Sequence, residues 1–330
     1  MIYIESPSFN PYFNLALEQY VFDCMDRSQE YFMLWRNDNT IVVGKNQNTI
    51  AEINQDFVEE HHINVVRRLS GGGAVYHDLG NLNFTIIVSK TNDMSDFDFS
   101  RFNKPVVRAL AKLGVKAEIS GRNDITIDGK KFSGNAQYIK QGRIMDHGAI
   151  LYNVDLTVLS KALKVSKDKI ESKGVKSVRA HVTNVLDCME KKVPLETFMK
   201  MLVEEMAGSE EIVPHTLTDE EIAAVKKLEA ERYDKWEWNY GYSPKYDIQK
   251  ERYLPGCGKF QIHMNVKDGR ITDFDIFGDY FGNKEKDELK PYLIGAQVNR
   301  EDLNRALKDV DIEEFFHNLS KDTFIDMLVK

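Results

Sequence analysis

A run of three consecutive glycines, flanked by charged residues, constrains this chain more than any other feature. The run is Gly71-Gly72-Gly73, which follows Arg67-Arg68 and precedes His77-Asp78. Glycine loses more backbone freedom on folding than any other residue, so three in a row are unfavourable unless bare backbone must approach something closely. Successive N–H groups can then form an anion-binding nest beside the guanidinium groups. A flexible hairpin turn also explains the three glycines, and both interpretations stay open at this point.

The overall composition is that of an ordinary globular protein. The chain has 330 residues, of which 42% are hydrophobic. This length is typical of two domains. The 44 basic and 52 acidic residues leave a net charge of −8. That balance argues against nonspecific nucleic-acid binding as the main role.

The cysteines and the N-terminus predict a cytoplasmic protein. Cys24, Cys188 and Cys257 are far apart, and neither a CxxC pair nor a Cys/His cluster with zinc spacing occurs. A disulfide framework and a structural metal are therefore not expected. The N-terminus lacks the basic and apolar regions of a signal peptide, and no apolar run is long enough to span a bilayer. We expect no association with membranes.

Hydrophobic periodicity predicts an α+β chain. Helices are expected over about 11–26, 55–62 and 99–113, and strands over 2–4, 31–35, 41–43, 63–68, 74–77 and 82–88. Residues 115–152 have the pattern of a β-meander with a type I′ turn at Asp128-Gly129. The pattern from 155 to 231 is mostly helical.

An aromatic segment that also contains glycine and proline, residues 236–244, predicts a domain boundary near 245. We therefore expect one domain over 1–245 and a small α+β domain over 246–330. In the second domain, strands are predicted over 260–266 and 271–277, with Cys257 before the first of them.

A second dense segment is Gly121-Arg122-Asn123-Asp124, followed by Lys131-Phe132-Ser133-Gly134-Asn135-Ala136. Its spacing does not match that of the common phosphate-binding loop. A lysine just after a turn, such as Lys131, is usually a solvated surface charge. The small residues beside it indicate instead that something packs closely. Asp124 is a candidate magnesium ligand, because Mg²⁺ takes few protein carboxylates and completes its shell with phosphate and water.

Two further segments carry groups with possible chemistry. One contains His147, in Asp146-His147-Gly148-Ala149, and the other is a basic segment from Lys173 to Asn184. A lone histidine is more often a hydrogen-bonded structural residue than a catalyst, and the same holds for His77. The basic segment is interpreted either as a mobile cover or as a solvated loop.

The order of these four segments resembles the lipoate–protein ligase A family. The resemblance rests on Arg-Arg-x-Ser-Gly-Gly-Gly-Ala-Val-Tyr-His-Asp, Gly-Arg-Asn-Asp with Lys-x-Ser-Gly-Asn-Ala, His-Gly-Ala-Ile-Leu, and Lys-Gly-Val-Lys-Ser-Val-Arg-x-x-Val-Thr-Asn. It covers residues 1 to about 245, and residues 251–277 are similar to the family's small C-terminal domain. It implies a biotin/lipoyl-ligase-like catalytic domain with mixed β-sheets and packed helices. The glycine loop alone also fits octanoyltransferases and, loosely, biotin ligases.

The resemblance implies roles for individual residues. The groups that would contact ATP and the acyl-adenylate are Arg68, Gly73, Ala74, Val75, Tyr76, Asn123, Asp124, Lys131 and Val182. The groups that would line or brace the lipoate pocket are Ser70, Gly71, Gly72, His77, Lys131 and His147. Lys131 matches the family's essential lysine, and Asp124 would hold Mg²⁺.

The implied activity is ATP-dependent. Lipoate would be activated to lipoyl-AMP with release of pyrophosphate, and the lipoyl group would then pass to a lysine of a dehydrogenase E2 lipoyl domain or a glycine-cleavage H protein. ATP, Mg²⁺ and lipoate are the expected ligands, and a monomer is expected. The sequence leaves the choice between lipoate and octanoate open.

Two alternatives are an octanoyl- or lipoyltransferase of the same superfamily and a noncatalytic lipoate-binding protein. A transferase of that kind needs an activated cysteine at the acyl site. No cysteine lies in the glycine-loop or Lys131 segments, which favours the ligase. The presence of Lys131, Arg68 and Asp124 argues against a noncatalytic protein.

Recognition of an acidic acceptor by an acidic chain requires a local basic surface. Lys140, Arg143, Lys173 and Lys176 are predicted to form it.

Overall fold

The computed structural model describes residues 1–91, 97–121, 123–163, 181–209, 211–240, 248–267 and 269–329. The chain divides into two compact units. The first comprises Met1–Val43, Thr49–Leu69 and the described part of Ala74–Tyr240. The second comprises Gly44–Asn48, Ser70–Gly73 and the described part of Gly241–Lys330.

A large mixed sheet forms the centre of the first unit. Its described strands, in spatial order, are β11 (Val213–Pro214), β1 (Ile2–Glu5), β2 (Tyr31–Trp35), β6 (Asn81–Ser89), β10 (Arg143–Leu151), β9 (Lys130–Lys140), β8 (Asp124–Ile127) and β7 (Ala117–Ser120). Strand β1 runs parallel to β2 and β11, and the other neighbouring pairs are antiparallel. The long antiparallel run from β2 to β7 therefore fixes which side chains share a face.

The two faces of this sheet pack against different helices. On one face, Phe84 and Ile144 share an apolar cluster with residues of α4 (Ser100–Lys112) and α6 (Leu195–Ala207). On the other face, Met33 and Met145 share a cluster with residues of α1 (Pro11–Asp23) and α7 (Asp219–Leu228). Helix α1 begins at Pro11, and the Asn10 side chain caps it by accepting from the Tyr12 and Phe13 N–H groups.

A smaller sheet lies in the same unit. Its strands, in order, are β4 (Asn64–Arg67), β3 (Thr40–Val43) and β5 (Val75–His77). Strand β3 is parallel to β4 and antiparallel to β5. The short helices of this unit are α2 (Thr49–Glu52), α3 (Gln55–Glu60), α5 (Leu156–Ala162) and α8 (Trp236–Asn239). Because β5 is an edge strand among the described residues, part of its backbone hydrogen-bonding capacity has no strand partner there.

The second unit has a core of its own. Its sheet has the order β12 (Ile248–Leu254), β13 (Gly258–Lys267) and β14 (Arg270–Gly278), and both pairs are antiparallel. Its helices are α9 (Lys290–Leu293), α10 (Arg300–Ala306), α11 (Ile312–Phe315) and α12 (Lys321–Val329). Buried Phe260, Phe274 and Phe324 belong to one apolar cluster. Across both units, no described helix is long and apolar enough to cross a bilayer.

The α+β prediction is confirmed, and so are most of the expected elements up to residue 151 and the two tail strands after 257. Asp128 and Gly129 both have positive φ, 49° and 74°, as a type I′ turn requires. Strand β12 was not predicted, because its central residues Gln249–Arg252 are polar. Cys257 therefore lies between two strands and not before the first. Within the predicted helical region 155–231, residues 164–180 lie outside the described residues.

One predicted surface residue is in fact buried. Arg143, expected on a basic docking surface, is only 1% exposed. Its guanidinium donates to the Val21 and Phe22 carbonyls at 3.2 and 2.5 Å, and lies over the Phe22 and Tyr31 rings. Burial lowers the pKa of Arg143 from its ordinary value. The prediction was wrong because a lone arginine in a strand pattern gives no sign that helix carbonyls will satisfy it.

Truncation of Arg143 tests this assignment. We expect Arg143→Ala to lower the free energy of unfolding by about 2–4 kcal/mol, because it leaves buried carbonyls without donors and opens a cavity. Lys140→Ala, an exposed cation on the same hairpin, is the control and should change stability by less than about 0.5 kcal/mol. Urea titration measures both, and equal stability of the two variants would contradict the assignment.

Candidate active site

The hairpin formed by β8 and β9 brings a lysine and an aspartate together. Lys131 Nζ lies 2.6 Å from Asp124 Oδ1, and both side chains are a little over a third exposed. The type I′ turn reverses the chain between them, and a register shift beside Ile125 pairs Lys131 with Thr126. A cation and an anion are thus held side by side with access to solvent.

The backbone of Lys131 is tied to the end of the basic segment. Its N–H donates to the His181 carbonyl at 2.7 Å, and its carbonyl accepts from the Thr183 N–H at 2.9 Å. Val182, predicted as an adenylate contact, forms a parallel bridge with Lys131. The structure thus brings Val182 and Lys131 together, whereas residues 173–180 lie outside the described residues.

Asn123 is held by the neighbouring strand β9. Its Nδ2 donates to the Asn135 carbonyl at 2.5 Å, and its own carbonyl accepts from the Asn135 N–H at 2.9 Å. These two bonds fix the start of β8, where Asp124 lies. Arg122, the preceding residue of the motif, lies outside the described residues.

A row of small residues leads away from the Lys131–Asp124 pair. Gly134 pairs with Asp124 on one side and with Ala149 on the other, and Ala136 pairs with His147. Directly paired residues share a face, as do residues two apart on a strand, so these positions lie on one face of the sheet. A Cβ on Gly134 would lie 2.8 Å from Lys131 Nζ. This row, here named the path, carries no side chain larger than a methyl group between Asp124 and His147.

The far end of this path is a buried polar cluster. His147 Nδ1 lies 2.9 Å from Glu18 Oε1, and the pair is almost fully buried. Glu18 Oε1 also accepts from Thr85 Oγ1 at 2.5 Å, and Thr85 Oγ1 accepts from Trp35 Nε1 at 2.8 Å. Four side chains, one each from α1, β2, β6 and β10, thus lie at this end of the path, and the hydrogen bonds between them fix their orientations.

His77 lies close to this cluster. Its Nδ1 is 3.3 Å from Asn37 Nδ2, and its ring is set edge-on to Trp35. Burial, and to a lesser extent the charges of Arg68 and His147, lower the pKa of His77 to about 3. Its buried Nε2 has no hydrogen-bond partner in the part of the chain that the structure describes. His77 is therefore neutral at physiological pH and offers one polar atom to a ligand.

The structure separates the two arginines that precede the glycines. Arg67 is buried, and its guanidinium donates to the Trp238 carbonyl, Thr49 Oγ1 and the Asn239 carbonyl. Burial lowers its pKa to about 10. Arg68 donates to the Val42 carbonyl at 3.3 Å and lies near His77. Arg67 therefore binds the backbone near residue 239 and has a structural role. Of the two arginines, Arg68 is the one that lies near another predicted site residue, His77.

The glycine loop itself is grouped with the second unit, and within that unit two of its glycines are structurally required. A Cβ on Gly71 would lie 2.4 Å from the Tyr280 carbonyl oxygen, and Gly72 has a φ of +93°. The Ser70 carbonyl accepts from the Lys45 N–H at 2.8 Å. Gly73 is different, because a Cβ placed on it would lie 3.9 Å from Asp279 Oδ2, its nearest neighbour among the described residues. Steric crowding thus explains why position 71 requires glycine, and the positive φ explains why position 72 does. Neither reason accounts for a glycine at position 73.

Ala74, Val75 and Tyr76 follow in the first unit. Val75 pairs with Val42 and Tyr76 with Ile41. The Tyr76 ring is buried, and its hydroxyl donates to Asn39 Oδ1 at 3.2 Å. Burial raises the pKa of Tyr76 to about 12. The Tyr76 side chain is therefore held within the fold, whereas Ala74 and Val75 are half-buried.

Sequence reasoning did not identify Glu18. A usable signal existed, because Glu18 interrupts the apolar stripe of α1 four residues before the buried Phe22. A buried carboxylate needs a partner, and His147 is that partner.

Two protein-family models match this chain. Residues 10–207 match the "Lipoyl protein ligase A/B catalytic domain", and residues 243–328 match the "Bacterial lipoate protein ligase C-terminus". The chain belongs to the lipoate–protein ligase family. The family relationship suggested by the order of the four sequence segments is therefore confirmed.

Relatives within the family are similar over nearly their whole length. Lipoate-protein ligase LplJ of Bacillus subtilis is 43% identical over 99% of this chain and 100% of its own. Lipoate–protein ligase 1 of Staphylococcus aureus is 40% identical over 97% of each chain.

Solved structures in the family have the same fold. The crystal structure of P. falciparum LipL1 in complex with lipoate has a TM-score of 0.80 at 25% identity and covers 99% of this chain and 98% of that one. A lipoate-protein ligase A bound with ATP has a TM-score of 0.64 at 28% identity and covers 73% of this chain and 98% of that one. The Thermoplasma acidophilum ligase from a study with its E2 lipoyl domain has a TM-score of 0.65 at 30% identity and covers 75% of this chain and 98% of that one.

The protonation of His77 can be measured by NMR. We expect its ring signals, assigned with His77→Gln, to stay at the neutral position between about pH 8 and pH 5, because the folded pKa lies far below the ordinary value of about 6.5. Since the pKa is depressed on folding, His77 stabilises the fold above about pH 6.5, and this contribution is lost as the pH falls toward 3. His77→Gln should remove that part of the pH dependence of unfolding. Titration of the folded ring near pH 6.5 would contradict its placement.

Proposed function

We propose that this chain activates lipoate with ATP to form lipoyl-AMP, and then transfers the lipoyl group to a lysine of an acceptor domain. The observation that carries the proposal is the Lys131–Asp124 pair at one end of a path of small residues that leads to the buried His147. The structures of relatives in complex with lipoate and with ATP support the choice of both ligands.

The length of the path suits a medium-chain acyl group. His147 and Asp124 are separated by two strand spacings across the sheet and two residues along it, or about 12 Å. Between them, Gly134, Ala136 and Ala149 carry no side chain larger than a methyl group. An acid lying along this row has its carboxylate at Lys131 and its distal ring near His147, His77 and Trp35.

In the first step, a carboxylate oxygen of lipoate attacks the α-phosphorus of ATP. A C(O)–O–P bond forms, the bond to the β-phosphate oxygen breaks, and pyrophosphate leaves with the electron pair. Because two anions must meet, cationic and N–H donors are the main requirement. The Lys131 ammonium is a compact charge that can contact the carboxylate and the α-phosphate together. Arg68 and the outer backbone of β5 supply further donors on the nucleotide side.

In the second step, the amine of an acceptor lysine attacks the acyl carbon of the adenylate. An amide forms, AMP leaves with the electron pair of the broken C–O bond, and the amine proton is released. Lys131 can remain on the oxygens as negative charge moves to AMP. The route needs no covalent enzyme intermediate. Since the adenylate is prone to hydrolysis, water should be excluded from it. Residues 173–180 of the basic segment, for which a mobile cover was one prediction, lie outside the described residues.

Asp124 can offer a magnesium ion only one ligand atom. Asp124 Oδ1 is paired with Lys131, which leaves Oδ2 as the available ligand atom, and no described cluster of three His, Cys, Asp or Glu side chains could hold a metal by itself. A single carboxylate oxygen suffices when phosphate and water complete the shell. Asp124 would then hold the ion, and the ion would neutralise charge on the phosphates.

The positions of the cysteines support a ligase over a cysteine-dependent transferase. Cys24 is exposed at the end of α1, and Cys257 belongs to the second unit. Cys188 is partly buried against the apolar cluster that includes Phe84 and Ile150, on the face of the sheet opposite to His147. Cys188 is therefore on the face opposite to the one that carries the path, and neither Cys24 nor Cys257 belongs to the strands that form the path.

The acceptor we expect is a lipoyl domain of a dehydrogenase E2 subunit or of a glycine-cleavage H protein. The Thermoplasma ligase studied together with its E2 lipoyl domain supports this class. Lys140 is an unsuitable docking residue, because it lies nine residues along β9 from Lys131, or about 30 Å away. The predicted basic surface therefore depends on Lys173 and Lys176, which lie outside the described residues. We expect a monomer in the cytoplasm, a compartment compatible with three free cysteines.

Replacement of Lys131 tests the proposal. We expect Lys131→Ala to lower lipoyl-AMP formation by about a thousandfold, because the charge at the two reacting anions is lost. The neighbouring Lys130→Ala, an exposed lysine on the same turn, should keep the rate within about twofold. Lipoate-dependent pyrophosphate release and mass spectrometry of the adenylate measure both.

The controls separate the alternatives. Cys188→Ala should form lipoyl-AMP and lipoylate the acceptor normally, whereas loss of transfer in that variant would favour a cysteine-dependent transferase. Absence of lipoate-dependent pyrophosphate release from the unmodified protein would favour a noncatalytic lipoate-binding protein. Full activity of Lys131→Ala would remove Lys131 from the catalytic centre.

A further inference from the structure

The side chain of Asn135 joins helix α4 to the hairpin that carries Lys131 and Asp124. We propose that Asn135, held in turn by Asn103 of α4, is a positioning residue that sets the geometry of this hairpin for adenylate formation. The proposal rests on the proposed function, because it assigns a task within that reaction. Neither residue lies on the face that carries the path, so neither touches the substrates.

Three hydrogen bonds connect Asn135 to Asn123, the residue before Asp124. The Asn135 N–H and Nδ2 both donate to the Asn123 carbonyl, at 2.9 and 3.4 Å, and the Asn135 carbonyl accepts from Asn123 Nδ2 at 2.5 Å. The backbone of β8 is thereby fixed one residue before Asp124. Since Asp124 pairs with Lys131 at 2.6 Å, a shift of Asn123 moves both members of the charged pair.

A fourth hydrogen bond ties the same side chain to a helix. Asn135 Nδ2 donates to Asn103 Oδ1 at 2.5 Å, and both side chains are buried. Asn103 lies on the face of α4 that carries the fully buried Val106 and Leu110. Helix α4 is therefore packed into the apolar core through the same face. Among its described side chains, that of Asn103 is hydrogen-bonded to Asn135.

The chemistry of the link requires an amide at position 135. Its Nδ2 serves two oxygen acceptors, which one nitrogen with two hydrogens can do and a hydroxyl cannot. The remaining polar atoms of the pair, Asn135 Oδ1 and Asn103 Nδ2, are buried and have no hydrogen-bond partner among the described residues. Unpartnered buried polar atoms destabilise a fold, so two apolar side chains would serve packing better. An arrangement that lowers stability while orienting the charged pair is typical of a functional constraint.

The neighbouring strand leaves space for the Asn135 side chain. A Cβ on Gly148, directly opposite on β10, would lie 2.4 Å from Asn135 Oδ1 and 2.5 Å from the Phe84 ring. Only glycine leaves both groups where they are. The amide is thus confined on one side by β10 and held on the other by α4.

The test uses Asn103, because it touches the hairpin only through Asn135 among the described contacts. In Asn103→Ala we expect kcat for lipoyl-AMP formation to fall by about tenfold to a hundredfold, as small displacements of reacting groups do, with KM for lipoate changed by less than about twofold. Asn103→Asp keeps an oxygen acceptor for Asn135 Nδ2 and should recover kcat to within about threefold of the unmodified protein. Asn103→Ser, which is too short to reach Asn135, provides a second truncation should the alanine variant fail to fold.

Val106→Ala is the control for loss of stability. It removes buried atoms from the same helix without touching Asn135, so it should lower the melting temperature and leave kcat unchanged. The account is supported if both Asn103 truncations lower kcat, Asn103→Asp restores it and Val106→Ala does not lower it. It is overturned if folded Asn103→Ala or Asn103→Ser keeps the normal kcat, or if Val106→Ala lowers kcat as much. Failure of the proposed function is distinguishable, because the unmodified protein would then form no lipoyl-AMP at all.

Discussion

The antiparallel pairing of β9 with β8 and β10 is the constraint on which the candidate site depends. This register places Gly134 and Ala136 on the face shared with His147 and Asp124, and Asn135 on the opposite face. A slip of one residue would exchange the two faces. The small residues would then point into the apolar core, and a buried amide would block the path. The type I′ turn at Asp128-Gly129 and the bonds between Asn123 and Asn135 both act against such a slip.

The two ends of the path differ in their electrostatic environment. At one end, Lys131 and Asp124 remain partly exposed. Each can therefore leave its partner and pair with a charged group of a substrate at little desolvation penalty. At the other end, burial keeps His77 neutral and pairs His147 with Glu18. Charge is thus accessible to solvent where phosphate and carboxylate must meet, while the buried polar groups at the other end are held in fixed orientations. The same sheet supplies both environments because the path crosses from β8, next to the edge strand β7, to β10 in the middle of the sheet.

Local patterns in the sequence were sufficient to predict much of the candidate site. The Asp128-Gly129 turn and the alternation of apolar and polar residues around it predict the hairpin of β8 and β9, since both signals depend only on residues that are neighbours in the sequence. The distinction between Arg67 and Arg68 could not be predicted, because it depends on carbonyls near residue 239, far away in the sequence. Arg143 was misassigned for the same reason. Glu18 and Asn103 act through partners on other elements, and only the folded chain brings those partners within reach.

The central claim is that one ligand occupies the path from His147 to Lys131. A crystal structure of the protein with a non-hydrolysable lipoyl-adenylate analogue tests it most directly. The account predicts the acyl chain above Gly134 and Ala136, the distal ring near His147, and Lys131 Nζ within hydrogen-bond distance of both the acyl carbonyl and the phosphate mimic. An analogue bound away from this row, or a Lys131 that contacts neither group, would contradict the account.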